Sequence, residues 1–268
     1  MNKSLQQMER ALIVQIEPWV DASELRELTR VIDSTFLVEH ELTREFESMT
    51  AQLTGAKHAV AVCNGSMALF ACLMAMGIGP GDEVIVPNFT FIASANAVIL
   101  AGAVPVLCEV REDTFCIDVA RAETLLTRKT KAIMPVHLYG QSADMHEVLG
   151  FAQRHGLQVL EDAAEGIGVR YDGRHVGTFG DMGILSYYGN KTITCGEGGI
   201  VLTNDDALAK AAYRIKNYGR ERKGTYIHET IGYNFSFTDL QAAIGVSQMK
   251  KLSAIIAKKR EIHDRYVT

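Results

Sequence analysis

Five short β-rich runs, at residues 59–63, 83–87, 104–108, 131–137 and 157–161, alternate with helix-period stretches at 66–76, 92–101, 118–126 and 142–154. Successive strands joined by helices can share one sheet only if each helix crosses over a face of it. The order therefore predicts an α/β fold: a mostly parallel central sheet with helices on both faces. Ahead of the alternation, Leu25, Leu28 and Ile32 share one helical face, with Asp21 or Ser23 as its cap. Leu42, Phe46, Met49 and Leu53 share another, closed by Gly55. Behind it, 182–186 and 199–203 read as strands around a glycine-rich segment at 189–199, and helices follow at 205–217 and 238–265. The implied divisions are an N-terminal helical segment (1–55), a large α/β domain (56–237) and a long helix (238–268).

Composition narrows the function classes. A chain of 268 residues with 47% hydrophobic and 22% charged residues can bury a core, which excludes disordered and collagen-like classes. The net charge of −5 argues against a nucleic-acid or anionic-membrane partner. Two uncharged stretches, 59–81 and 84–108, exceed the roughly 20 residues that span a bilayer as a helix. Asn64-Gly65-Ser66, Gly77, Gly79, Pro80 and Gly81 break the first, and Pro87, Asn88, Asn96, Gly102 and Pro105 break the second. Both read as strand, turn and helix buried by protein. Residues 1–10 are polar and mixed in charge, with no secretory signal. Five cysteines at irregular spacing suit a reducing compartment, so a cytoplasmic location is expected. The eight histidines show no close ligand pairing, so no metal site is expected. Lys250, Lys251, Lys258, Lys259 and Arg260 read as a solvated helix face.

Gly189-Asn190-Lys191-Thr192 lacks the G-x-x-x-x-G-K-[ST] spacing of a P-loop, and no G-x-G-x-x-G follows the first strand. Polar residues do fall where an open α/β sheet binds ligands, at the carboxyl ends of its strands. Asn64-Gly65-Ser66-Met67 joins the first strand to its helix, where N–H groups and a hydroxyl could meet an anion, or where the turn is simply capped. Asp162 follows Glu161 at the end of another strand, Ser186 ends a third, and Lys191 lies five residues on. A phosphate turn, a strand-end carboxylate for a pyridinium and a loop lysine for an imine are the parts of a pyridoxal 5′-phosphate (PLP) site.

At this point the chain resembles a known family. The segments are Cys63-Asn64-Gly65-Ser66-Met67-Ala68-Leu69, Pro87-Asn88-Phe89-Thr90-Phe91-Ile92-Ala93, Pro135-Val136-His137-Leu138-Tyr139-Gly140, Glu161-Asp162-Ala163-Ala164-Glu165, Ser186-Tyr187-Tyr188-Gly189-Asn190-Lys191 and Gly196-Glu197-Gly198-Gly199. They are similar to the DegT/DnrJ sugar-nucleotide aminotransferases, fold-type I PLP enzymes, and run in that family's order from about residue 12 to the end. The segment 188–194, with Glu165 in place of Gln or His, is most similar to the GDP-perosamine synthase branch.

The resemblance implies roles. Lys191 would bond the cofactor aldehyde and then move a proton. A dehydrating subgroup carries His there, so lysine favours transamination. Asp162 would keep the pyridine nitrogen protonated, and Glu165 would meet the 3-hydroxyl side or merely cap a helix. Ser66, the Met67 N–H and Ser186 would bind the phosphate. Phe91 would stack on the ring, the alternative being a core residue of a buried helix start. His137 is open between a site residue and a hydrogen-bonded core histidine. Asn234 would reach the phosphate of a neighbouring subunit, implying a homodimer with shared active sites. The substrates implied are an amino-acid donor, glutamate, and a nucleotide-linked keto-sugar, GDP-4-keto-6-deoxymannose for the perosamine branch, within polysaccharide biosynthesis. A smaller carboxyl-terminal domain is expected beyond the 238–268 helix and largely missing here. That leaves two alternatives: a truncated, non-catalytic PLP-binding homologue, or a PLP-dependent sugar dehydratase.

Overall fold

The computed structural model describes residues 16–267. The polar stretch 1–10, part of the 1–55 segment and the final residue lie outside them. Two helices come first, α1 (Ala22–Ser34) and α2 (Glu41–Thr54), followed by β1 (His58–Val62) and α3 (Gly65–Ala75). Next are β2 (Glu83–Pro87), α4 (Ala93–Leu100), β3 (Val104–Cys108), α5 (Val119–Glu123), β4 (Thr130–Ile133), α6 (Met145–His155) and β5 (Gln158–Asp162). A hairpin, β6 (Arg170–Tyr171) and β7 (Arg174–His175), precedes β8 (Met182–Ser186), β9 (Gly199–Thr203), α7 (Asp206–Lys216) and α8 (Asp239–Val267).

The seven long strands form one sheet in the order β1-β9-β8-β5-β4-β2-β3. Pairing is parallel from β8 through β3, and β9 runs antiparallel to both β8 and β1. Reversal of β9 alone leaves β1 pointing the same way as β8. The carboxyl ends of β1, β2, β5 and β8 consequently open on one side of the sheet, where ligands bind in such folds.

Both faces are covered, as the alternation predicts. On one face lies α3, apolar all round and packed against α4, α7 and the strands β8 and β9. A helix of that character is stable only when buried on every side. On the other, Phe46, Tyr187, Phe237 and Val246 join α2 and α8 to the sheet, while Phe151, Val148 and Met145 bring in α6. Among the described residues no helix is long and apolar enough to cross a membrane.

Several sequence expectations shift. In α1 the inward stripe is Glu24, Leu28 and Val31, whereas Leu25 and Ile32 are 65% and 58% exposed. Glu24 turns in because it closes a capping box with Asp21 and accepts from Gln248 and Lys251, so polar bonds outweigh apolar spacing. The run 131–137 stops as a strand at Ile133, since Pro135 has no N–H to donate to the ladder. The hairpin β6–β7 is too short to show as an apolar run; its turn residues Asp172 and Gly173 both have positive φ, the geometry of a tight two-residue turn. In α8, Lys251 is not solvated, being drawn to Asp21 and Glu24.

Candidate active site

β1 ends in a turn that starts α3. Asn64 is the cap: its side chain accepts the Met67 N–H at 2.9 Å. That bond takes the Met67 donor expected for an anion and leaves the Gly65 and Ser66 N–H groups, which have no intrahelical acceptor, at the helix start. The turn is wedged against two glycine contacts. A Cβ on Gly65 would stand 3.0 Å from the Ser186 Cβ, so Ser186 at the end of β8 closes the same corner. A Cβ on Gly199 would stand 2.4 Å from the Asn64 carbonyl oxygen, so β9 can pass beneath the turn only without a side chain there. Gly199→Ala is therefore expected to cost about 1–3 kcal/mol of stability in denaturant unfolding; a variant as stable as the parent would show that the turn yields freely.

Asp162 ends β5, buried. Its backbone N–H donates to Pro135 and its carbonyl accepts from His137, which splices residues 135–137 onto β5. The carboxylate accepts the Ser94 hydroxyl at 2.7 Å and the Ala164 N–H at 3.1 Å. Burial pushes this carboxyl above the usual carboxylate range; those two bonds and the Lys191 charge pull the other way without prevailing. An Asp left in that balance favours a cationic partner in the cavity.

Lys191 lies beyond β8 in a loop tied by its own N–H to the Tyr188 carbonyl. Its ammonium donates to Glu165 at 3.0 Å, and the other Glu165 oxygen accepts the Tyr139 N–H at 2.8 Å. Glu165 thus positions the lysine from the carboxyl end of the neighbouring strand, β5.

These residues meet in one cavity of about 500 Å³. Ser66, Met67, Phe91, Asp162, Glu165, Ser186 and Lys191 all line it. Phe91 is 73% exposed at its rim, so it is no core residue of a buried helix start. His137 also lines it, yet both ring nitrogens are engaged: Nδ1 accepts the Ala143 N–H, so Nε2 carries the proton and donates to Glu161 at 3.0 Å. Asn234 is the predicted residue that the cavity does not include; it lies exposed on a segment bridged to Asn217. Sequence reasoning missed Ser94, whose hydroxyl also meets Thr90 at 3.0 Å. The available signal was the four-residue spacing of two hydroxyls at a helix start, beside a strand-end acid in need of donors.

Donors for an anion at a helix start, a buried carboxylate for a cation and a primary amine between two strand ends can hold a phosphorylated, positively charged ring and bond its carbonyl carbon. The fold is that of the aminotransferases. The aminotransferase from Psychrobacter cryohalolentis superimposes with a TM-score of 0.83 at 37% identity, covering 88% of this chain and 64% of that one. The chain belongs to the DegT/DnrJ/EryC1/StrS aminotransferase family, whose pattern matches residues 18–268. It is 45% identical over 246 residues to the GDP-perosamine synthase of Caulobacter vibrioides, covering 91% of this chain and 66% of that protein. It is 41% identical over 251 residues to the GDP-perosamine synthase of Vibrio cholerae, covering 93% and 68%. The chain thus spans about two thirds of the length of the relatives it matches.

Proposed function

We propose that the protein is a PLP-dependent aminotransferase that moves an amino group from glutamate to a nucleotide-linked keto-sugar, GDP-4-keto-6-deoxymannose being the acceptor that its similarity to GDP-perosamine synthases favours. The observation that carries this reading is the convergence of Asp162, Lys191 and the α3 start on one cavity. The residues present fit the cofactor: Asp162 is a buried acid whose bonds come from one hydroxyl and one N–H and whose charge lacks a strong counter-ion. When bound, pyridoxal 5′-phosphate supplies an aldehyde that bonds amines reversibly and a cationic ring that draws electrons from the substrate carbon.

The chain's own groups divide the remaining work. Ser66, Ser186 and the Gly65 and Ser66 N–H groups would take the phosphate, whose charge the helix start favours. Asp162 would hold the proton on the ring nitrogen, Glu165 would face the ring's 3-hydroxyl side, and Phe91 would cover the ring from the rim. Lys191 would donate the amine that bonds the aldehyde and, once displaced, shuttle a proton at its Nζ between the substrate carbon and the cofactor. Only a primary amine can do both, which favours amino transfer over dehydration. Asn234, exposed and outside the cavity, would serve the phosphate of a second subunit in a homodimer. A cytoplasmic location suits soluble nucleotide-sugar substrates.

The test has two parts. Borohydride reduction of the PLP-loaded protein followed by peptide mass spectrometry should place the label on Lys191; a label elsewhere overturns the assignment. Incubation with glutamate and a panel of GDP-, dTDP- and UDP-linked keto-sugars should yield an amino sugar on the GDP-linked member. Absence of any aminated product from the panel would refute the activity.

A further inference from the structure

Lys216, the last residue of α7, is fully buried although its side chain ends in an ammonium, and the proposed chemistry makes no use of it. Its surroundings are specific. The Nζ donates to the Ala61 carbonyl at 2.7 Å and to Glu39 at 3.1 Å, and lies 3.8 Å from Glu47. Glu47 in turn accepts the Ala61 N–H at 2.8 Å. Ala61 belongs to β1, the edge strand of the sheet, so the two backbone groups that a further strand would have taken are held instead by a lysine from α7 and a glutamate from α2.

The same edge continues toward the cavity. Two residues on, the Cys63 N–H donates to the Phe235 carbonyl, and the Phe235 N–H donates to the carbonyl of Lys216 itself. Lys216 is therefore a joint: its side chain grips β1 three residues before Asn64, and its main chain grips the residue after Asn234. Arg44 pairs with both Glu39 and Glu47, and Lys223 reaches Glu39 at 3.3 Å. Three cations thus share two carboxylates.

We propose that Lys216 and Glu47 are positioning residues for the anion-binding end of the cavity: they stand in for a neighbouring strand at the open edge of β1 and so fix the turn 64–66, while Lys216 also fixes the segment that carries Asn234. This rests on the PLP reading of the cavity. Stability alone is a poor reason to keep such a group. Burial, reinforced by the Arg44 and Lys223 charges and opposed by Glu47, pushes Lys216 down to about 7, and buried ionic clusters are commonly no more stabilising than apolar replacements. What the cluster supplies is orientation of two backbone groups that apolar side chains could not bind.

Lys216→Met, Glu47→Ala and Glu47→Gln test it, with pyridoxamine 5′-phosphate as the probe because it needs no bond to Lys191. In Lys216→Met and Glu47→Ala its affinity is expected to fall about tenfold, as when a group that orients ligating atoms is lost, while kcat at saturating cofactor stays near the parent value. Glu47→Gln keeps an acceptor for the Ala61 N–H and should restore affinity. A folded Lys216→Met with parental affinity, or a Glu47→Gln as impaired as Glu47→Ala, overturns the proposal; the glutamate pair decides it if Lys216→Met does not fold. Amide exchange on the cofactor-free protein separates this from the PLP reading. Faster exchange at residues 61–67 in Lys216→Met and Glu47→Ala is expected even if the parent binds no pyridoxamine phosphate, and unchanged exchange there counts against the joint.

Discussion

Lys191→Met is expected to fold, to bind pyridoxamine 5′-phosphate and to lose nearly all amino transfer. The lysine side chain is 18% exposed and its Glu165 partner 30%, so the lost ion pair should cost less than about 1 kcal/mol. Methionine fills a similar volume, and neither the α3 start nor Asp162 depends on the ammonium for its own hydrogen bonds. The amine's removal takes away both the bond to the aldehyde and the group that moves the proton. Turnover should fall about 10⁴-fold, the upper range for losing a general acid–base. Fluorescence titration with pyridoxamine phosphate and steady-state assay of the amino sugar check the two halves. Turnover within tenfold of the parent would hand the amine's role to another residue.

Asp162→Asn should have opposite effects on stability and on chemistry. In the cofactor-free protein, burial raises the Asp162 carboxyl above its unfolded value of 3.8. As pH rises between those two values the native state holds a proton that the unfolded state has lost, so this group's contribution to stability falls, and it stays lowered at neutral pH. Asparagine avoids that loss: its oxygen can still accept the Ala164 N–H, and its NH₂ can donate to Ser94, whose hydroxyl also accepts. The variant's melting temperature should therefore exceed the parent's without cofactor, by a margin that grows from about pH 4 upward and is absent below it. With cofactor, the amide can no longer hold a proton on the ring nitrogen, and kcat should drop at least a hundredfold, the scale of removing one preorganised electrostatic partner. A melting curve unchanged by the substitution at every pH would contradict the burial argument, and near-parental kcat would contradict the role of the carboxylate.

The parallel core was legible because its strands are short apolar runs that alternate with helix-period stretches, and because β2, β3, β8 and β9 fall at the residues their patterns mark. What local pattern could not give was inward polarity set by distant partners. Glu24 displaced Leu25 from the buried face of α1 through bonds to residues more than two hundred positions away. The turn 64–67, Asp162, Ser186 and Lys191 were legible as positions at or just beyond strand ends, since the carboxyl ends of a parallel sheet open on one side, whereas Phe91 and Glu165 came from the family resemblance alone. Ser94 carried only the faint signal of its spacing from Thr90, and the Lys216 cluster carried none, because nothing adjacent in sequence announces that an ammonium will be buried. The Met67 N–H stayed open between anion and cap for a narrower reason: Asn64 can cap the helix or leave its donors free, and the local sequence is the same in both cases.

The strand order has a consequence for biosynthesis. β1 leaves the ribosome before every other strand of its sheet, yet its one sheet neighbour is β9, and of the three groups that hold its outer edge only Glu47 precedes it, the others coming from residues 216 and 235. The corner proposed to take the phosphate is therefore assembled by contacts between distant parts of the chain, the kind that form slowly because loop closure precedes any reward. A nascent chain shorter than about 235 residues carries the turn without its walls, so capture of the vitamin B6 coenzyme should be one of the last events in the making of this protein rather than a nucleus around which it folds.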